Sequence, residues 1–198
     1  MKTILFFSLI ILSSSLLASA DLSPKDLSQL KAGKLIRKVE KLDGEIWPKV
    51  TVMAVIPHTP KDNMEVFDDF EAQKEYIPDM VSAKVLNKVE ENAYDVAFEM
   101  KMPWPISNTK YVTRNIIKKD GENYRIDWHL IKSNQMKDTK GSVIFEALDE
   151  NQTLLTYVNH ITPDSELASM FKSRVPEDVE KTVKVIINHL GKHVKNNN

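Results

Sequence analysis

The chain has 198 residues, 27 basic against 28 acidic, a net charge of −1 and no cysteine. The missing thiols exclude a disulfide framework, thiolate chemistry and a lipidated cysteine. The charges alternate in sign and form no block, which argues against a nucleic-acid face, since phosphate binding needs concentrated positive charge.

Residues 1–20 read as a secretory signal peptide. Lys2 gives a positive start, Ile4 to Leu12 is apolar apart from Ser8, and Ala18-Ser19-Ala20 has the A-x-A form, so cleavage is expected after Ala20. The apolar run is too short for the ~20 residues of a membrane span. The mature product, residues 21–198, is expected to be one domain in a periplasm or outside the cell, and a monomer.

Ser23-Pro24-Lys25-Asp26 has the pattern of a helix start, with serine as cap, proline in the first helical position and an acid three residues on. Leu27 and Leu30 give this short extension over residues 21–33 one apolar side, and Gly33 ends it. A strand over 34–42, a turn at Asp43-Gly44 and a returning strand over 47–56 follow. Thr59-Pro60-Lys61-Asp62 repeats the capping pattern and opens a helix through Phe70; a second short helical stretch ends near Ile77-Pro78.

Six strands are then predicted, over 81–89, 94–102, 110–118, 124–132, 142–148 and 153–162. They are separated by turn-like clusters that include Pro103-Trp104-Pro105 and Asp138 to Gly141. Spacing this short leaves no room for crossover helices, so the sheet is antiparallel. Alternation puts Tyr94, Val96, Phe98, Met100 and Met102 on one face, and Tyr124, Ile126, Trp128 and Leu130 likewise. Residues 163–195 form the last segment. From Pro176, Val179, Val183, Ile186, Ile187, Leu190 and Val194 recur at helical spacing as one apolar stripe, and such a helix runs ~28 Å at ~1.5 Å per residue. Pro176 is expected to act as a hinge. A curved sheet gripping this helix, with a hydrophobic cavity between them, buries both apolar faces.

Two stretches carry a resemblance. Val66-Phe67-Asp68-Asp69-Phe70, then Tyr76-Ile77-Pro78, Val81 and Ser82-Ala83-Lys84-Val85-Leu86, together with Pro103-Trp104-Pro105-Ile106-Ser107-Asn108 followed by Tyr111-Val112-Thr113-Arg114, resemble the START-like superfamily (SRPBCC). The resemblance spans roughly residues 45–195. It implies an α+β helix-grip fold: a curved antiparallel sheet wrapped around a long C-terminal helix, with two short helices after the second strand. It also implies a tunnel for one lipid or isoprenoid-like molecule. Arg114 matches an arginine that often points into that tunnel, which would place Val112 inside and Thr113 and Asn115 outside; the alternative is an arginine in an outer-face charge ladder. The expected ligand-facing set is Val96, Phe98, Met100, Val112, Arg114, Trp128, Leu130, Phe145, Tyr157, Val179, Val183 and Ile186. Trp104 belongs at the cavity rim, or serves as an exposed anchor for transient membrane contact.

Catalytic signals are sparse. There is no G-x-S-x-G elbow, H-E-x-x-H or glycine-rich phosphate loop. His189 and His193 are four apart without a third ligand, and Asp127 and His129 share the polar strand face, so neither metal nor cofactor is expected. Three functions remain open: carriage of a hydrophobic ligand, a cyclase- or aromatase-like enzyme using Tyr157, Asn159 or His160, and a closed protein-interaction module. The first leads.

Overall fold

The computed structural model describes residues 22–105 and 107–194. The expected signal peptide (1–20) and the last four residues lie outside them. The elements are α1 (Pro24–Lys31), β1 (Ile36–Glu40), β2 (Lys49–Pro57), α2 (Pro60–Phe67), α3 (Gln73–Tyr76), β3 (Met80–Glu90), β4 (Ala93–Met100), β5 (Thr109–Asp120), β6 (Asn123–Ser133), β7 (Met136–Asp149), β8 (Gln152–Pro163) and α4 (Val175–His193), with a 3-10 turn, Glu166–Phe171, before α4.

Both caps form as their residue types dictate. Ser23 Oγ accepts from the Asp26 amide at 3.1 Å, and Thr59 Oγ1 from the Asp62 amide at 3.2 Å. All strands join one antiparallel sheet in the order β1-β2-β8-β7-β6-β5-β4-β3. α4 crosses its inner face against β1 and β2 and touches α2 and α3. Val179, Val183, Ile186 and Leu190 are the buried stripe of α4, and they join Val50, Val52, Phe145 and Leu155 in the main core. Arg37 on β1 holds Glu180 of α4 at 2.9 Å. This is the curved sheet and C-terminal helix that the helix-grip resemblance implied.

The outer face is not wholly wet. Leu30 of α1 packs on Met53 and Leu154, with Leu22, Ile36, Val55 and Leu148 around them, as a second small core. Elsewhere that face carries charge pairs.

Three expectations are corrected. Asp138 to Gly141 is no turn: it lies inside β7, and the chain turns instead at Asn134-Gln135. Asp43-Gly44 is part of a longer loop, since β1 and β2 part after Glu40 and Lys49. Pro176 falls in the first turn of α4, where its missing N–H would lack an intrahelical partner anyway, so no internal bond is lost and no hinge results.

Candidate functional site: a cavity beneath the C-terminal helix

Between α4 and the inner face of the sheet lies a cavity of about 630 Å³. Small-molecule sites typically fall within ~300–1,000 Å³. Its apolar wall comes from α2 (Phe67), the chain after it (Phe70, Ile77), β4 (Phe98, Met100), β6 (Ile126, Trp128), β8 (Ile161) and α4 (Val175, Val179, Ile186). The mouth is bordered by the β4–β5 loop (Lys101, Met102, Pro103, Ser107), by Asn134-Gln135, and by the segment from Asp164 to Arg174.

That last segment is termed the lid for its position at the mouth. Leu167, Ala168 and Phe171 of the 3-10 turn line the cavity, and the Trp47 indole N–H donates to the Ala168 carbonyl at 2.8 Å. Trp47 itself lines the cavity, so one side chain both walls the site and ties the lid to the start of β2. The neighbouring loops are cross-tied as well. Thr109 Oγ1 donates to Gln135 Oε1 at 3.2 Å, the Lys110 amide donates to Asn134 Oδ1 at 2.8 Å, and Gln135 Nε2 donates to Ser107 Oγ.

The inner wall also carries neutral polar groups. Tyr111, Thr113 and Asn115 on β5, Thr139 on β7, and Tyr157 and Asn159 on β8 all line the cavity. Burial pushes the Tyr157 hydroxyl up to about 12, and raises that of Tyr111 further, with Tyr157 adding to the effect. Both phenols therefore stay protonated near neutral pH. The charged residues of the lining, Asp79, Lys101, Asp164, Arg174, Asp178 and Lys181, are all exposed.

Gly141 makes part of this geometry possible. It pairs with Trp128 on one side and Asn159 on the other. A Cβ there would come well under 3.0 Å from the Val158 carbonyl oxygen and the Trp128 ring. With no side chain in the way, the indole lies across Gly141 and reaches Tyr157, ring centroids 5.5 Å apart. A strand glycine marks such a close approach.

Of the residues expected to face a ligand, Phe98, Met100, Trp128, Tyr157, Val179 and Ile186 line the cavity. Val96, Phe145 and Val183 are fully buried core that backs it; Phe145 meets Phe67 edge-on at 5.9 Å, under α2. Leu130 lies beside a bulge where β6 has Ile131 as an extra residue against β5, and it is half-buried without reaching the cavity wall. Trp104 is 91% exposed and stands outside the lining, although Pro103 beside it borders the mouth.

The expectation for β5 is inverted. Tyr111, Thr113 and Asn115 point inward, while Val112 and Arg114 point to the outer face. Arg114 pairs across the strand with Asp95 through two parallel bonds, Nε to Oδ1 at 2.8 Å and Nη2 to Oδ2 at 3.0 Å. The guanidinium holds the Asp95 carboxyl below its usual range. An ion pair that stays partly in water avoids the cost of burying a guanidinium, and so the outer-face alternative is the one realised.

The remaining candidates fall apart in space. Asp127 is held by Lys118 at 2.8 Å and Arg125 at 2.6 Å, and His129 beside it is exposed. His160 is buried on the face opposite Asn159, with Glu45 Oε2 3.8 Å from Nε2, so it takes no part in the cavity. His189 stacks between Tyr76 and His193 at centroid distances of 3.8 and 4.2 Å. Among the described residues no group of three or more ligating side chains could hold a metal ion. Tyr111, Asn115, Thr113 and Trp47 are among the lining residues that alternation and motif missed. A correct β4–β5 register would have found the three on β5, because Tyr111 faces Phe98 directly.

Residues 56–184, more than half of the chain, match the family described as polyketide cyclase / dehydrase and lipid transport. The chain belongs to that family, within the START-like group. No curated protein matches it by sequence. Solved structures share its fold at low identity. A STAR-related lipid transfer protein from Xanthomonas axonopodis superposes with a TM-score of 0.71 at 18% identity, over 79% of this chain and 93% of that one. Human StAR-related lipid transfer protein 5 gives 0.66 at 8%, over 86% and 94%. An aromatase/cyclase from Streptomyces gives 0.63 at 11%, over 75% and 96%.

Proposed function

We propose that this protein binds one hydrophobic small molecule, a lipid or isoprenoid-like compound, in the cavity beneath α4 and carries or shields it. The observation that carries the reading is the cavity itself: about 630 Å³, walled by apolar and neutral polar side chains, with charge confined to the mouth. Apolar burial supplies the affinity, at ~25 cal/mol per Å² before ordering costs.

Carriage is favoured over catalysis by the titratable groups in reach. Tyr111 and Tyr157 are held protonated, which suits donors and not general bases, and His160 lies on the other face. The N-terminal segment supports export to a periplasm or beyond, where the mature chain acts as a monomer. Among the described residues no helix is long and apolar enough to cross a membrane. Exposed Trp104, Leu167 and Met170 lie on the two segments that border the mouth, and this supports transient membrane contact during loading.

The test is native mass spectrometry of the mature protein purified from its own compartment, followed by organic extraction. A stoichiometric lipid or quinone supports carriage. An empty protein that also takes up no fluorescent lipid analogue refutes it.

A further inference from the structure

Resting on the carriage reading, the polar wall of the cavity narrows the class of ligand. Most neutral polar groups there are already engaged with the protein. Asn115 Nδ2 donates to Thr113 Oγ1 at 3.0 Å, Thr139 Oγ1 donates to the His160 carbonyl at 3.2 Å, and Gln73 Nε2 donates to the Phe67 carbonyl at 3.3 Å. The Tyr111 hydroxyl, the Tyr157 hydroxyl and the Trp128 indole N–H line the same space and make no hydrogen bond to any described residue. Trp128 and Tyr157 are in ring contact. Tyr157 adds to the upward push that burial exerts on the Tyr111 hydroxyl.

These donors open onto the cavity and are not among the buried atoms left without a partner, so a ligand that displaces water from them must accept their hydrogen bonds in its place or leave them unpaired. The indole N–H can only donate, and a phenol held protonated donates readily. Charge is absent from this wall. The six charged lining residues are exposed, and Arg114, the arginine that could have met an anionic head, is turned to the outer face and paired with Asp95. An ionised group placed among the tyrosines would find no counter-charge and would bear its full desolvation cost.

We infer that the bound molecule presents an uncharged hydrogen-bond acceptor, a carbonyl, ether or hydroxyl oxygen, to Tyr111, Tyr157 and Trp128, and that no ionised head group enters this part of the cavity. The ligand is thus an oxygen-bearing neutral hydrophobe, or a lipid whose charged end stays at the mouth.

Equilibrium dialysis with three probes on one ring skeleton, anthracene, anthraquinone and an anthraquinone carboxylate, separates the possibilities. The quinone is expected to bind about fivefold to tenfold tighter than the hydrocarbon, from one or two net hydrogen bonds, and the carboxylate weakest. In the double variant Tyr111→Phe/Tyr157→Phe, which leaves only the Trp128 donor, the preference for quinone over hydrocarbon falls by about threefold or more, while anthracene affinity stays within about twofold and shows the cavity intact. A carboxylate that binds as well as the quinone, or a quinone preference undiminished in the double variant, overturns the inference and leaves carriage standing. Failure of all three probes to bind overturns carriage and this inference with it.

Discussion

Two glycines in this chain should respond in opposite directions to the same substitution. At Gly141 a methyl group would collide with the Val158 carbonyl oxygen, which is backbone, and with the Trp128 ring. Neither yields cheaply, because Val158 is held in the β7–β8 ladder and the indole is lodged against Tyr157. Overpacking of this kind costs ~1–3 kcal/mol, and stiffening of the unfolded chain returns only ~0.4–1 kcal/mol. Gly141→Ala should therefore lower Tm by about 2–6 °C, at roughly 2–4 °C per kcal/mol for a chain this size. At Gly191, inside α4, nothing lies within 4 Å of the added Cβ. There alanine gains ~0.5–1 kcal/mol in helix propensity, and Tm should rise by about 1–4 °C. Calorimetric melts of the two variants beside the wild type read both signs. A Gly141→Ala protein that melts at or above the wild type would refute the reasoning, because it would mean Trp128 does not lie across this glycine. Ligand uptake should fall with Gly141→Ala and stay constant with Gly191→Ala, since only the first disturbs a cavity wall.

Other perturbations test the lid, the outer face and the mouth. Trp47→Phe keeps the ring and removes the hydrogen bond to Ala168; losing ~0.5–1.5 kcal/mol of lid closure should speed release of a bound probe by about twofold to tenfold in stopped-flow, and an unchanged rate would exclude the latch. Arg114→Gln should leave probe affinity unchanged and remove a salt-sensitive part of stability, whereas an arginine inside the cavity would have changed uptake first. His189 titrates below its ordinary value of 6.5 because of burial and His193, with Lys192 acting the same way and Glu75 and Asp69 opposing. Since the unfolded chain takes up that proton first, stability is full above the unfolded value and is lost as pH falls below it. Thermal melts of His189→Gln between ~pH 7 and ~pH 5 should show a shallower decline than the wild type. Trp104→Ser should weaken co-sedimentation with anionic vesicles by on the order of tenfold, as burying a large apolar side chain is worth ~1.5–3 kcal/mol, with probe binding in solution unaffected.

The elements were legible because each announces itself locally. The caps at Ser23 and Thr59, the apolar stripe of α4 and the alternation of β4 and β6 are patterns of a few neighbouring residues, and all of them hold. The α4 and β4 sides of the cavity follow from those patterns, and for that reason Phe98, Met100, Val179 and Ile186 were found. Gly141 shows where local reading fails. Glycine beside Asp138 and Lys140 has the composition of a turn, yet its role is to make room for a ring thirteen positions earlier, on another strand.

β5 exposes the deeper limit. Both of its phases mix apolar and polar residues: Tyr111, Thr113, Asn115 and Ile117 against Val112, Arg114 and Ile116. Alternation alone cannot choose between them when the inner face borders a polar-walled cavity instead of a dry core. Two non-local contacts agree with the register seen, the Asp95–Arg114 pair outside and the Phe98–Tyr111 ring contact inside. Alternation along β4 puts Asp95 on the outer phase, and a guanidinium on the next strand can meet it there. With Arg114 outward, the period of two puts Tyr111, Thr113 and Asn115 inward, so the neutral polar wall of the cavity and the charge pair on the opposite side of the sheet go together. The register in which Asp95 meets Arg114 thus bears on what the interior can bind: the same strand slipped by one residue would bring a permanent charge to the ligand and take the β5 tyrosine away.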